Sequence, residues 1–350
     1  MRIDEIDTPA FVVDLDVMEA NLHDAQRYLD QHGLAARPHI KTHKIPAIAQ
    51  MQVAAGAAGL TCQKIGEAEV MAAAGLRDLF LPYNIVGPAK LARLVALARQ
   101  TTLSVTTDSE TVARGLSAAF HGAGLELPVL VECDTGAARC GAPTPEAAAE
   151  LAQVIARLPG LRFAGLMTYP NSPAFDPFMA AARERLAAVG LKPERVSGGG
   201  TPTLYSAHTY REGTEYRAGE YIYGDRSHLL AGRMPLDRIA ACVLTTVVSR
   251  PVPERAILDA GSKTLSGTLR RGLEGHGYLV EYPEAAIYDL TEEHGHTDLS
   301  ANARRPEIGE RVSVIPNHIC LVSNLFAHVH GVRGGAVEVV WPVAARGLLQ

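Results

Sequence analysis

Between about residues 35 and 225 the chain alternates short β-like runs with longer amphipathic segments. The β-like runs are 36–40, 58–62, 78–82, 103–106, 128–132, 163–167, 194–197 and 220–223. Parallel strands need a long crossover between them, and helical segments supply one. The expected helices carry their own end signals. Residues 64–74 stop at Gly75, and residues 88–99 open on Pro88, whose fixed φ suits a first helical turn. Residues 109–121 begin at a capping serine, Ser109. Residues 144–158 have Thr144 as N-cap, Pro145 next and Glu146 in the first turn, where acid complements the helix dipole. Eight such units predict an α/β fold, a (β/α)8 TIM-like barrel, with a doubly wound open sheet as the alternative.

The pattern stops near residue 236. Beyond it, runs at 242–247, 256–258, 311–315 and 337–341 are rich in β-branched residues and separated by Gly, Pro and charged turns. They predict a mostly antiparallel β domain. The expected division is a barrel over 15–235 and a C-terminal β domain over 236–350. Residues 1–14, with the β-like run 10–14, serve either one. The 47% apolar content suffices to bury a full core. A net charge of −5 without a basic tract speaks against nucleic acid and anionic membrane. Five scattered cysteines without a CxxC pair suit reduced thiols. An acidic start, Met1-Arg2-Ile3-Asp4-Glu5, and the lack of a long uncharged apolar window predict a cytoplasmic protein with no membrane span.

Active sites of such barrels lie at the C-terminal ends of the strands. The first run leads into Arg37-Pro38-His39-Ile40-Lys41-Thr42-His43-Lys44. Crowded cations and burial both lower a lysine pKa and free its amine as a nucleophile, although a solvated basic turn reads equally well from the segment alone. The seventh run leads into Ser197-Gly198-Gly199-Gly200-Thr201-Pro202-Thr203. Glycines there let backbone N–H groups converge on a phosphate, or make a flexible turn. Phosphate sites in barrels commonly follow strands seven and eight. A nucleophilic lysine with a phosphate cradle suggests pyridoxal phosphate, held by its aldehyde and its phosphate. In the β-rich region, Pro316-Asn317-His318-Ile319-Cys320 would place His318 and Cys320 on one face of a strand. They are candidate ligands for a divalent metal, with zinc favoured by the imidazole–thiolate pair.

These motifs, with Arg217-Ala218-Gly219-Glu220-Tyr221, Leu258-Asp259-Ala260-Gly261-Ser262-Lys263 and Glu292-Glu293-His294-Gly295, occur here in an order that resembles the D-threonine aldolase and D-serine dehydratase family of fold-type III pyridoxal-phosphate enzymes, relatives of alanine racemase. The resemblance spans nearly the whole chain. It implies a homodimer acting on a small D-amino acid. It makes Lys41 the Schiff-base lysine and assigns the phosphate to Ser197, Gly198, Gly199, Gly200 and Thr201, with Gly219, Glu220 and Tyr221 nearby. Arg139 matches an arginine beside the cofactor's phenolic oxygen, and Arg217 one beside the pyridine nitrogen. His318 and Cys320 fall on the family's metal pair, His-x-Asp in typical aldolases and His-x-Cys in typical dehydratases, where zinc, manganese or magnesium would bind.

Two features depart from the aldolase pattern. Cys320 follows the dehydratases, although Asn324-Leu325 echoes the aldolases. The segment Tyr169-Pro170-Asn171-Ser172 lacks the histidine that aldolases carry after the sixth strand. His43, Tyr169 and a metal-bound water are the candidate bases, and Tyr169 also counts among the cofactor contacts. The expected activity is a pyridoxal-phosphate- and metal-dependent lyase on β-hydroxy-D-amino acids, by retro-aldol cleavage or, alternatively, by β-elimination. A racemase or a non-catalytic pyridoxal-phosphate carrier are further readings. Asp259 and Lys263 read as a structural turn and ion pair. His294 reaches a substrate carboxylate or caps a turn. Cys62, Cys133, Cys140 and Cys242 read as core thiols, and His228 has no pattern that separates it from surface histidines.

Overall fold

The computed structural model describes residues 1–269 and 272–350. Two compact units divide the chain. One comprises residues 24–41, 46–219 and 348–350, the other residues 1–23, 42–45 and 220–347.

The first unit holds eight parallel strands: Ala35–Ala36, Leu60–Thr61, Asp78–Leu81, Thr102–Thr107, Leu127–Glu132, Leu161–Met167, Arg195–Gly199 and Glu215–Arg217. Neighbours in sequence are neighbours in the sheet, except that the first strand pairs with the eighth. The ends of the sheet meet through a parallel bridge between His39 and Thr61 and the bonds Ala58 N–H to Ala36 O (2.9 Å) and Thr61 N–H to Pro38 O (2.8 Å). The ring is therefore a closed barrel. Alternation along the strands separates two apolar layers. Leu79, Leu81, Val129 and Val131 pack with helix residues such as Leu94, Leu116, Phe120 and Ile155. Phe80, Leu130, Ala164 and Met167 form a separate cluster. The helices Ile65–Ala73, Pro88–Ala98, Glu110–Gly122 and Pro145–Arg157 match the expected segments, and Thr144 Oγ1 caps the last by accepting from Ala147 N–H.

Three barrel strands differ from the expected runs, the second being only Leu60–Thr61 within 58–62. The eighth is Glu215–Arg217, and Glu220–Ile222, expected as a strand, is a 3-10 turn. The first is only Ala35–Ala36, because the chain turns into a 3-10 turn at Ile40–Thr42.

The second unit is built on one branched, mostly antiparallel sheet. Its path runs Ala286–Leu290, Gly295–Asp298, Arg255–Leu258, Ala241–Val252, Ala10–Asp14, His328–Arg333 and Ala336–Pro342. Among the described residues, only the Ala10–Asp14 and His328–Arg333 pair in it is parallel. Residues of Ala241–Val252 also pair with Arg311–Pro316, which in turn pairs with Gly277–Leu279. Ile6, Ala10, Val12, Leu244 and Val332 form one of its apolar clusters. Asp259 and Lys263 do not pair with each other. Asp259 accepts from Thr8 (2.6 Å) and Thr246 N–H (2.8 Å), while Lys263 pairs with Glu292 (2.9 Å) and Glu293 (2.7 Å). Their charges find closer partners on neighbouring segments. Cys140 is exposed rather than in the core. Among the described residues no helix is long and apolar enough to cross a membrane.

Candidate functional site

In the barrel unit, Lys41 lies in the 3-10 turn after the first strand and is half-buried. Its Nζ stands 5.7 Å from the centre of the Tyr169 ring, and the Arg139 guanidinium carbon 5.4 Å from the same ring. Cations settle against aromatic faces because the ring's quadrupole is negative there. Tyr169 follows the sixth strand and keeps 38% of its surface exposed. Arg139 sits on a loop organised by Asp134, whose Oδ1 accepts from the N–H of Gly136 (2.9 Å) and Ala137 (2.8 Å). The loops after strands five and six are tied by Thr135 and Thr168 hydroxyls (2.9 Å) and by Ser172 Oγ donating to Thr135 O (2.6 Å). Arg139 also approaches Glu132 (3.6 Å). Burial raises the Glu132 carboxyl above its ordinary range, and Arg139 only partly offsets this.

The glycine segment is less open than its sequence suggests. Ser197, Gly198 and Gly199 belong to the seventh strand. Gly199 N–H donates to Asn171 Oδ1 (2.8 Å), and Gly200 N–H to the Arg217 carbonyl (2.8 Å). A Cβ on Gly199 would lie 2.1 Å from that carbonyl, so the close approach of the eighth strand requires glycine. Gly200 has φ 124°, where side chains are rarely tolerated, and a Cβ there would reach the Tyr169 ring at 3.7 Å. The loop therefore borders Tyr169 and opens the 3-10 segment Thr201–Thr209. Tyr216 steadies it, its hydroxyl donating to Gly200 O (2.7 Å) and accepting from Thr203 (2.7 Å).

Arg217 ends the eighth strand in a buried network. It donates to Ser197 Oγ (2.5 Å) and Thr168 O (2.9 Å), and Ser197 donates to Glu215 (2.6 Å). Burial pushes the Arg217 pKa down to about 10 despite nearby Glu215 and Glu132.

Gly219 is the last barrel-unit residue of its segment, and Glu220 and Tyr221 belong to the other unit. Tyr221 is buried there. His43 is also in that unit, fully buried, with Nδ1 accepting from Ile45 N–H (3.1 Å). Lys44 is buried with φ 58°, and its Nζ donates to Asn324 Oδ1 (2.9 Å). The two lysines of the basic segment thus have different surroundings.

His318 and Cys320 do not lie on a strand. The strand ends at Pro316, His318 is the N-cap of the helix Ile319–Leu325, and Cys320 lies in its first turn. They nevertheless converge, and Glu220 joins them. Glu220 Oε1 is 3.0 Å from His318 Nδ1 and 3.8 Å from Cys320 Sγ. Glu220 Oε2 is 2.8 Å from His228 Nε2. Asp225 Oδ2 is 3.2 Å from His318 Nδ1. Thr42 Oγ1 is 3.3 Å from Cys320 Sγ. Burial would depress the His318 imidazole, but bonds to Asp225, Cys320 and Glu220 outweigh it and push its pKa up to about 11. Burial likewise opposes the Glu220 carboxylate, and His228 and His318 hold its pKa far below the ordinary range. Taken alone, His228 has no sequence pattern that separates it from surface histidines, yet it is 1% exposed. A signal was available, because Glu220, Asp225 and His228 crowd one short segment with metal-ligating residue types. His294 is exposed, and its N–H donates to Thr291 Oγ1 (3.1 Å) in a turn.

The family described as alanine racemase, N-terminal domain, matches residues 13–227, and a serine dehydratase domain family matches residues 240–332. A D-threonine aldolase of Arthrobacter sp is 36% identical over 98% of this chain and 93% of that protein. A D-threo-3-hydroxyaspartate dehydratase of Delftia sp. (strain HT23) is 32% identical over 96% of this chain and 97% of that protein. The crystal structure of a D-threonine aldolase from Filomicrobium marinum superimposes with a TM-score of 0.92 and 32% identity, covering 99% of this chain and 98% of that one.

Proposed function

The chain belongs to the D-threonine aldolase and D-serine dehydratase family of fold-type III pyridoxal-phosphate enzymes, and from that premise we propose that it cleaves β-hydroxy-D-amino acids to glycine and an aldehyde. The observation that carries this reading is the grouping of the Lys41 amine, the Arg139 guanidinium and the exposed Tyr169 ring beside Gly200.

The barrel unit's residues suit the cofactor. Lys41 offers an amine for its aldehyde. Gly200, in a conformation that favours glycine, leads into Thr201, whose hydroxyl and N–H open the following segment and suit a phosphate. By the family resemblance, Arg139 would lie beside the cofactor's phenolic oxygen and Arg217 beside its pyridine nitrogen. The second unit's imidazole, thiol and carboxylate suit a divalent ion, zinc before manganese or magnesium. When bound, pyridoxal phosphate supplies an electron sink for charge at Cα, and the ion a Lewis acid for the β-hydroxyl.

Tyr169 is our assignment for the base that takes the β-hydroxyl proton. Its partial exposure supports this, while His43 is fully buried and its Nδ1 already accepts a backbone bond. As the proton leaves, the hydroxyl oxygen becomes the aldehyde carbonyl. The Cα–Cβ bond breaks, its electron pair stays with the Cα fragment, and a proton later returns to Cα.

Cys320 favours a second reading, since the family's dehydratases carry a thiol at this position. There Lys41 removes the Cα proton and hydroxide leaves Cβ, giving an enamine that tautomerises to an imine, which water hydrolyses to a 2-oxo acid and ammonia. D-Threonine separates the two. Glycine with acetaldehyde supports cleavage, and 2-oxobutanoate with ammonia supports elimination. Neither product pattern from any β-hydroxy-D-amino acid refutes both.

A further inference from the structure

Glu220 stands in sequence among the expected cofactor residues, but its carboxylate lies among metal-ligating atoms. We infer that Glu220 is a third ligand of the divalent ion assigned above to His318 and Cys320, with His228 and Asp225 positioning it. The inference rests on that metal reading.

Distance is the first argument. The ligand atoms of Glu220, His318 and Cys320 all lie within 4.8 Å of one another. Metal–ligand bonds of about 2.0–2.3 Å in tetrahedral geometry separate ligand atoms by roughly 3.4 Å. The observed spacings of 3.0 Å and 3.8 Å from Glu220 Oε1 straddle that value, so little movement is needed.

Charge is the second. A thiolate, a carboxylate and a neutral imidazole together carry two negative charges, which one divalent ion cancels. Such balance suits a site where Glu220 and His318 are largely shielded from water.

Support for the carboxylate is the third. Glu220 Oε2 is held by the buried His228 ring at 2.8 Å, leaving Oε1 turned to His318 and Cys320. His228 is itself fixed, its backbone N–H donating to Asp225 Oδ1 (3.2 Å). Asp225 Oδ2 accepts from Ile319 N–H (3.3 Å) beside the His318 ring. Outer partners of this kind orient metal ligands and raise affinity. Three protein ligands leave a position open, as catalytic zinc sites do.

The test uses full-length holoenzyme, stripped with a chelator and titrated with Zn²⁺ and Co²⁺, reading ion affinity and Co²⁺ absorption rather than turnover. Wild type should take one ion per chain, with a thiolate charge-transfer band. Glu220→Gln should weaken binding at least tenfold and shift the Co²⁺ d–d bands. His228→Gln, which keeps the carboxylate but frees one oxygen, should weaken binding less. Retained cofactor absorbance shows that the barrel unit is intact. If Glu220→Gln does not fold, Glu220→Asp carries the test, with weaker binding and shifted bands expected. Wild-type affinity with unchanged bands in the Glu220 variant, alongside loss of binding in His318→Ala, overturns Glu220 as a ligand while leaving the metal reading intact. Absence of any ion in wild type overturns the metal reading, and this inference with it.

Discussion

Replacing Glu215 by glutamine tests whether the buried charge network holds the barrel and its arginine together. Glu215 is fully buried on the eighth strand and accepts from Arg37 Nε (2.6 Å) and Ser197 Oγ (2.6 Å), with Arg195 at 3.6 Å. Burial alone would raise its pKa, but Arg37, Arg195 and Ser197 outweigh burial and hold it below the ordinary 4.5. Glutamine keeps the shape, removes the charge and turns an NH₂ toward groups that need an acceptor. Breaking a buried pair from one side costs about 3–5 kcal/mol. Arg37 retains Asp78 as a second partner, which places the cost near the lower end, about 3 kcal/mol. For a domain of this size that lowers Tm by roughly 6–12 °C. Far-UV circular dichroism is the assay, because the only tryptophan, Trp341, lies in the other unit. The pH dependence has a definite sign. A depressed carboxyl pKa gives stability that is complete above the unfolded value and is lost as pH falls through the folded value. The gap between wild type and Glu215→Gln should be full at neutral pH and narrow below 4.5. A Tm loss under about 2 °C at neutral pH, or a gap that widens on acidification, would refute the reasoning.

Borohydride reduction of the holoenzyme followed by peptide mapping should label Lys41 and not Lys44, whose Nζ is bonded to Asn324; a label on Lys44 contradicts the assignment. Lys41→Ala should lose the visible cofactor band and turnover together, and a variant that keeps both shows that another lysine serves. Tyr216→Phe removes the hydroxyl bridging Gly200 O and Thr203. One hydrogen bond is worth about 1 kcal/mol, so cofactor affinity should fall about fivefold in an absorbance titration. Unchanged affinity with a lowered Tm would mean that the loop does not hold the phosphate.

The barrel was legible because its signal is local. Alternation of β-like and helical runs, a Thr144 cap and Pro88 and Pro145 at helix starts each act within a few residues. The basic segment and the glycine triplet were legible as motifs, but their geometry was not. Gly199 and Gly200 spend their N–H groups on Asn171 and Arg217, partners 28 and 17 residues away, and no local pattern reveals this. The eighth strand was misplaced because Glu220–Tyr221–Ile222 has the composition of a strand, while pairing with Ala35–Ala36 and Arg195–Gly199 selects Glu215–Arg217.

The sequence by itself determined the (β/α)8 pattern, the β-rich character of the C-terminal region and the family to which the chain belongs. Tertiary structure decided which unit each member of the basic segment joins, that His228 is buried, and that Glu220 stands with His318 and Cys320. Strand and helix signals repeat every two to four residues, so a short window contains them. A ligand set is made by segments that meet only after folding, and its spacing along the chain carries no trace of the few ångströms that separate its atoms.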